Sequence, residues 1–251
     1  MNFEFSDEQR QLQETVDRYL TEQYPFDKFR AIKASQAGWD KTIWAGLAEL
    51  GVLALNVPVT EGGLGFGPLE TLAMMGPSGR SLLLEPFLSS AVIATAVLRP
   101  FAAERGTAEL LTRMAEGAAI AALAHFERDS RFETQWVNTR AERKGETYRI
   151  DGHKAVVMHA AAADVLLISA RTSGDPGDAQ GVSLFRIARD SKGLTLDPYP
   201  TIDGQRAADV YLQGVEVPAG GVTVRKAKSR FWLCDFCQPE ATVTVCTGQA
   251  P

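Results

Sequence analysis

The sequence has few cysteines, no long apolar run and no excess of basic residues, and each shortage excludes a class of protein. A formal net charge of −5 gives no electrostatic reason to expect nucleic acid or an acidic membrane as a partner. The longest apolar stretch, Ala91 to Leu98, is much too short to span a bilayer. Met1 to Glu8 lacks the basic and apolar regions of a signal peptide, so we expect a cytoplasmic protein without a membrane span.

All three cysteines lie near the end of the chain, at Cys234, Cys237 and Cys246. The first two have the spacing of half a zinc site or of a redox pair. A zinc site needs four ligands, however, and only Cys246 is near, while the strand-to-helix setting of a redox pair is absent. We therefore expect incidental cysteines in a reduced protein. A zinc-binding or redox adaptor remains the alternative.

The first half of the chain has the residue spacing of amphipathic helices. Ser6 and Gln9 form a capping-box pattern in front of apolar residues at helical spacing. Asp40 can cap a second helix, which Gly51 ends, and Pro68 suits the first turn of a third. Two more helices are predicted at Ala91 to Leu98 and Glu109 to Met114.

Near residue 118 the pattern changes to short runs typical of strands. Asp151-Gly152 is a pairing that favours a tight hairpin turn. Strands are predicted at Ala118–Phe126, Trp136–Ala141, Tyr148–Ile150, Ala155–Met158, Val165–Ser169, Val182–Ile187, Leu194–Leu196 and Val210–Leu212. The fold class is therefore α+β, with an N-terminal all-helical domain over residues 1–117 and an antiparallel β-barrel or sandwich domain over residues 118–219.

Residues 220–251 sustain neither the helical nor the strand period, and we expect an irregular tail there. Such a stretch fits a flexible tail, an alternative terminus or translation in a wrong reading frame. The frame error is the favoured explanation, because the strand before it ends where a helix should follow. The chain is thus expected to be a truncated or frame-shifted form.

Glycines and histidines in the chain have structural explanations. Gly62-Gly63-x-Gly65 is not preceded by the strand of a dinucleotide fingerprint, so we expect these glycines to allow a sharp loop rather than to contact a ligand. His125, His153 and His159 belong to no cysteine or carboxylate constellation. Each is therefore expected to be a polar surface or strand residue rather than a ligand or a base.

Several segments, in order and at matching spacing, resemble the acyl-CoA dehydrogenase family over nearly all of residues 1–219. They are Phe5 to Arg10 with Leu50 to Leu53, Val57 to Gly65, Tyr148 to Lys154 with Ala163-Asp164 and Ala170-Arg171, Asp203 to Val210, and Val217 to Ala219. The second is similar to the family's Pro-x-x-x-Gly-Gly-x-Gly turn and the third to its Gly-x-Lys hairpin. No single motif is decisive, but the ordered set is specific.

The resemblance implies FAD as cofactor, bound between the β domain and the helical domains. In the family a glutamate removes the α proton of an acyl-CoA thioester, and the β hydride passes to flavin N5. The implied partners are the acyl-CoA substrate, an electron-transfer flavoprotein that reoxidises the flavin, and further dehydrogenase chains in a homo- or hetero-oligomer. The length of the acyl chain is not implied.

The positions implied to face the flavin are Leu123, His125, Phe126, Val156 and Met158. Phe126 replaces the threonine of the family's Thr-Glu-Pro segment, while Glu127 fits it. Val156-Val157-Met158 replaces Trp-Ile-Ser/Thr. Phe126 and Met158 cannot supply the missing hydroxyl donors. Such departures resemble the divergent small subunits of heteromeric acyl-CoA dehydrogenases, including those acting on pimeloyl-CoA and on steroid side chains.

The family's C-terminal helical bundle, which supplies the catalytic base, has no counterpart in residues 220–251. Glu216 and Glu240 are the nearest carboxylates and neither has a helical setting. No catalytic base or metal ligand is therefore assigned, and we expect the chain to be inactive alone. The alternative is a non-catalytic subunit that packs against a complete dehydrogenase chain.

Overall fold

The computed structural model describes residues 4–131, 133–219 and 222–227. Its first part is helical and its second part is a curled sheet, which confirms the predicted α+β class. The α-helices are α1 (Asp7–Gln23), α2 (Phe26–Ala34), α3 (Lys41–Glu49), α4 (Pro68–Ser81), α5 (Thr95–Leu98) and α6 (Arg105–Ala115). Within the described residues, no helix is long and apolar enough to cross a membrane.

The predicted helix starts are confirmed by their hydrogen bonds. The Ser6 hydroxyl accepts from the Gln9 N–H at 3.2 Å, and the Gln9 side chain accepts from the Ser6 N–H at 3.0 Å. Asp40 accepts from the first amides of α3, and Pro68 is the first residue of α4. The helix predicted at 91–98 is different, because Phe87–Ala94 is π-helical and only Thr95–Leu98 is α-helical.

The sheet is mixed rather than purely antiparallel. Its strands are β1 (Ala121–Ala124), β2 (Arg140–Lys144), β3 (Thr147–Met158), β4 (Val165–Arg171), β5 (Val182–Ala188), β6 (Leu194–Pro200), β7 (Arg206–Pro218) and β8 (Val222–Ala227). Their order is β6-β7-β3-β2-β4-β5-β8, and β1 pairs with β4. Both β1 and β2 run parallel to β4 and occupy successive parts of one of its edges. The loop between them therefore projects from that edge.

The hairpin turn predicted at Asp151-Gly152 is wrong. Both residues lie inside β3, and the chain reverses between Lys144 and Thr147. Gly152 is a glycine because its φ is 158° and a Cβ there would lie 2.5 Å from the Thr139 hydroxyl oxygen. The pairing of β3 with β7 shifts at this point, so the residue marks a bulge.

Two other strand predictions also differ from the structure. The stretch predicted over 136–141 is strand only from Arg140 onward. Residues Val222–Ala227, inside the stretch predicted to be irregular, form β8 and pair antiparallel with β5. The three cysteines and Glu240 lie outside the described residues.

The helices and the sheet share their apolar interior. One buried cluster joins Trp44 and Phe87 of the helical part to Ile168 and Phe185 of the sheet. The Trp44 indole N–H also donates to the Gly117 carbonyl at 3.1 Å, where the chain passes from α6 to β1. This shared packing fixes β1, and with it the loop that begins at His125, against the helices.

Candidate functional site

The predicted flavin-facing residues come from two segments that meet at one place. Leu123 is in β1, His125 and Phe126 begin the β1–β2 loop, and Val156 and Met158 are at the end of β3. The Ala155 N–H donates to the Phe126 carbonyl at 2.8 Å and joins the two segments. The structure therefore brings all five positions into one region.

Glu127 ties both ends of the β1–β2 loop together. Its carboxylate accepts from the Asn138 N–H at 2.7 Å, and from the Thr139 N–H at 3.0 Å and hydroxyl at 2.7 Å. Burial opposes ionisation, but the Lys154 ammonium and these hydrogen bonds outweigh it and hold the pKa of Glu127 below its usual value. Glu127 is thus a buried, ionised carboxylate with a structural task.

Lys154 lies completely buried behind the loop. Its ammonium is 2.7 Å from the Glu127 carboxylate and donates to the His125 carbonyl at 3.1 Å and the Ser169 hydroxyl at 3.0 Å. Burial lowers the pKa of Lys154 to about 8, against the raising effect of Glu127, so the group is charged at neutral pH. All three donor positions of the ammonium are used, as a buried charge requires.

The His125 ring faces inward. Nδ1 is 3.0 Å from the Ser169 hydroxyl, and Nε2 is 2.7 Å from the Thr134 carbonyl. Burial, together with the nearby Lys154 charge, lowers the pKa of His125 to about 4, so the ring is neutral. The expectation that His125 and His159 are surface or strand residues is wrong, because both are buried and lie just after the ends of β1 and β3. Since both ring nitrogens of His125 have partners inside the protein, direct contact of its ring with a ligand does not fit the geometry.

The outward side of the same region is apolar. Phe126 is 43% exposed and Val156 is 54% exposed, while Leu123 and Met158 are half-buried. We call Phe126 and Val156 together the apolar face. The Phe126 ring packs edge-on against the His125 ring at 5.6 Å between centroids, so the buried network directly supports the face.

Two family descriptions cover most of the chain. Residues 6–118 match "Acyl-CoA dehydrogenase, N-terminal domain", and residues 122–215 match "Acyl-CoA dehydrogenase, middle domain". The chain belongs to the acyl-CoA dehydrogenase family. It is 27% identical over 237 residues to the mitochondrial isovaleryl-CoA dehydrogenase of Pongo abelii, an alignment that covers 91% of this chain and 55% of that protein. The chain spans about half the length of the curated relatives it matches.

Solved structures from this family have the same fold. The ChsE4-ChsE5 complex of Mycobacterium tuberculosis superposes with a TM-score of 0.78 at 24% identity, covering 94% of this chain and 62% of that one. An acyl-CoA dehydrogenase of Bacillus anthracis complexed with FAD gives 0.82 at 20% identity, covering 93% and 40%. At this identity the likeness concerns the fold alone.

The acyl-CoA dehydrogenase family is FAD-dependent, but the side chains of this site do not fit the polar edge of a flavin. That edge carries ring nitrogens and carbonyl oxygens that take up hydrogen bonds. Leu123, Phe126, Val156 and Met158 have no side-chain donor, and the His125 ring already has two partners inside. The side chains at these five positions therefore supply no free hydrogen-bond donor to that edge.

Two carboxylates at this site, Glu127 and Asp209, already have partners within the chain. Asp209 accepts from the Val156 N–H at 3.2 Å and from the Tyr199 hydroxyl at 3.0 Å. Glu127 is buried and paired with Lys154. Glu216 pairs with Arg149 in the strand register, about 20 Å along β3 from Val156 at strand spacing. Within the described residues there is no group of histidine, cysteine and acidic side chains that could hold a metal ion.

Sequence reasoning missed Thr139, Ser169 and Asp209, which hold the site from inside or from the flank. Thr139 and Ser169 gave no signal, since hydroxyl residues are ordinary in strand runs. Asp209 gave a weak one. Aspartate is depleted in strands, and this one interrupts a strand-forming run.

Proposed function

We propose that this chain takes part in the FAD-dependent α,β-dehydrogenation of an acyl-CoA thioester and is inactive alone. One observation carries the proposal: buried polar contacts hold the loop and strand end expected at the flavin, yet the apolar face that they present, Phe126 and Val156, offers no side-chain donor and no base. Because the buried Glu127–Lys154 pair holds the backbone beneath the apolar face, we infer that this face makes contact within the oligomer. Its apolar character indicates that the polar chemistry is supplied elsewhere.

The chain's own residues would exclude water and hold shape. Phe126 and Val156 present an apolar wall, which keeps the reacting region dry and strengthens electrostatic interactions inside it. Lys154 and Glu127 fix the backbone beneath that wall. The α proton of the thioester is a poor acid, so its removal needs a positioned carboxylate. In this proposal a complete dehydrogenase chain in the same oligomer provides that carboxylate, and an electron-transfer flavoprotein takes the electrons.

A non-catalytic subunit is the second candidate. A hetero-complex, ChsE4-ChsE5, is among the similar folds. The same departures that leave the apolar face without donors resemble the small-subunit type acting on pimeloyl-CoA or steroid acyl-CoA. In this version the chain supports a complete dehydrogenase chain without contributing to the reacting region.

Flavin retention and reduction test the proposal. The chain is purified alone and after co-expression with a complete acyl-CoA dehydrogenase chain, and flavin absorbance is followed anaerobically after addition of an acyl-CoA. We expect no flavin reduction by the chain alone and reduction in the complex. A chain that retains FAD and reduces it unaided with an acyl-CoA contradicts the proposal.

Variants of the face separate the two candidates. The double variant Phe126→Asp with Val156→Asp places charges on the apolar face, and Ile202→Asp is the matched control at a fully exposed position. A contributing face predicts loss of flavin reduction in the complex for the double variant only. A non-catalytic subunit predicts an unchanged reduction rate in the assembled complex for all variants.

A further inference from the structure

Val156 has a backbone conformation that valine rarely adopts. Its φ is 54°, in the left-handed region, where a branched Cβ crowds the backbone. Such a conformation persists only where the surroundings impose it. The Val156 side chain is 54% exposed, so side-chain packing does not impose it. Its cause must lie in the backbone contacts.

A bulge in β3 produces this conformation. Lys154 pairs with Val210 and Val157 pairs with Ala208, so three steps along β3 oppose two along β7. Strict alternation would point Val156 inward with Lys154. The extra residue instead leaves Lys154 and Val157 buried and turns Val156 out to the surface. The exposed valine of the apolar face therefore exists only because of the bulge.

Asp209 of β7 contacts the bulge at its strained residue. Its Oδ1 accepts from the Val156 N–H at 3.2 Å, an amide that the bulge withdraws from the strand ladder. Three other groups converge on the same carboxylate. The Tyr199 hydroxyl donates to Oδ1 at 3.0 Å, His153 Nε2 lies 3.2 Å from Oδ2, and the Arg128 guanidinium lies 3.9 Å from Oδ2.

These neighbours keep the carboxylate ionised and in place. Burial opposes ionisation, but hydrogen bonds from the Val156 N–H, Tyr199 and His153 outweigh it and hold the pKa of Asp209 below its usual value. The His153 ring is itself stacked on Tyr211, with 4.5 Å between centroids and 10° between planes. The acceptor for the Val156 amide is thus fixed from several sides.

We propose that Asp209 is a positioning residue, which holds Val156 in its left-handed conformation and so builds the apolar face. Phe126 shares this dependence, because its carbonyl is held by the N–H of Ala155, one residue before the bulged valine. The role of the face in the oligomer rests on the function proposed above. The conformational role of Asp209 does not.

A double-mutant cycle on the chain itself tests the conformational role. Glycine adopts the left-handed conformation without strain, so with Val156→Gly the backbone no longer needs the hydrogen bond to Asp209 to hold that conformation. Asp209→Ala is expected to lower the melting temperature by a few degrees and to speed amide exchange at Val156 by about tenfold or more. In the Val156→Gly background the loss of melting temperature is expected to be less than half as large.

Asp197→Ala is the matched control, because Asp197 is exposed and lies opposite Asp209 in the strand pairing. It is expected to leave exchange at Val156 unchanged. Asp209→Asn keeps an acceptor oxygen and is expected to lie between wild type and Asp209→Ala, which also serves if the alanine variant does not fold. Equal losses in the valine and glycine backgrounds, or unchanged exchange at Val156, overturn the proposal.

The complex with a complete dehydrogenase chain distinguishes this inference from the proposed function. Coupling in the cycle together with slower flavin reduction by Asp209→Ala supports both. Coupling in the cycle with unchanged flavin reduction supports the positioning role of Asp209 and contradicts the proposed contribution of the apolar face to the reaction. Absence of coupling contradicts the positioning role of Asp209, whatever the rate of flavin reduction in the complex.

Discussion

Lys154 is a charged residue whose ammonium group is completely buried, so the fold must offset the cost of removing this charge from water. It is tolerated because a carboxylate, a carbonyl and a hydroxyl satisfy its three protons. A buried ion pair is weak evidence of net stabilisation, since desolvation offsets the attraction. Losing one partner is different, because the remaining charge stays buried without compensation. This asymmetry gives a testable expectation.

Lys154→Met is expected to lower the free energy of unfolding by about 3 kcal/mol or more, because the Glu127 carboxylate is left buried without its cation. Urea denaturation measures the change. Adding Glu127→Gln to Lys154→Met is expected to cost much less than the sum of the single variants. Lys144→Met, at an exposed position of β2, is the control. Equal losses for Lys154→Met and Lys144→Met would contradict the expectation.

His125 makes stability depend on pH in a defined window. Its folded pKa of about 4 lies below the unfolded value near 6.5, so between these values the unfolded chain binds more protons. Stability is therefore expected to fall as pH drops from about 6.5 to about 4. Proton NMR should show the His125 ring titrating only near the lower end. A ring that titrates near 6.5 in the folded chain would rule out this account.

At the residue scale the sequence predicts positions better than roles. The resemblance places Phe126 and Val156 in one region, and the structure agrees. It does not predict that Val156 points outward, because this depends on a one-residue bulge against β7. Nor does it predict Asp209 as the acceptor for the bulged amide. Those contacts depend on register between distant strands, which local pattern does not encode.

Among the secondary-structure elements, helix starts are the most predictable. Ser6 with Gln9, and Asp40, act through groups two or three residues away, so the local sequence contains the whole interaction. Asp151-Gly152 has the composition of a tight turn but lies inside β3. There a glycine is required because the Thr139 side chain fills the space that a Cβ would occupy, and not because the chain turns. Composition alone cannot distinguish these two uses of glycine.

β8 covers the edge of β5 through backbone pairing, and this leads to a prediction. Val224 pairs with Leu184, and proline at 224 removes its amide hydrogen. Val224→Pro is expected to abolish amide protection of the β5 residues that face β8, and to preserve protection of those that face β4. Hydrogen exchange measured residue by residue checks this. Val224→Ala keeps the amide and is the control, and loss of protection in both variants alike would contradict the pairing explanation.

Across the whole molecule, polar contacts join the helices to the sheet. The Arg206 guanidinium of β7 donates to the Lys33 carbonyl at 2.9 Å and the Ser35 carbonyl at 2.7 Å, where α2 ends. The His159 N–H donates to the Arg206 carbonyl, and the His159 ring contacts the Leu84 carbonyl and the Ser89 hydroxyl. These contacts complement the shared apolar interior.

Arg206→Met is expected to weaken this junction. Hydrogen bonds from a charged donor contribute about 1.5–3 kcal/mol, so we expect a loss of about 2 kcal/mol in the free energy of unfolding. Faster amide exchange should be confined to residues around Ser35. Arg18→Met, exposed on α1, is the control. Unchanged exchange near Ser35 would show that the guanidinium does not hold the end of α2.

The buried pair beneath the apolar face also bears on how such a surface can change over generations. Glu127 and Lys154 act on the carbonyl of His125 and on the far end of the loop, and neither side chain uses the Phe126 side chain as a support. The hydrogen bonds by which this pair holds the loop therefore involve no atom of the Phe126 side chain. Replacing the phenyl ring at position 126 by a small hydroxyl side chain is therefore expected to leave these hydrogen bonds in place.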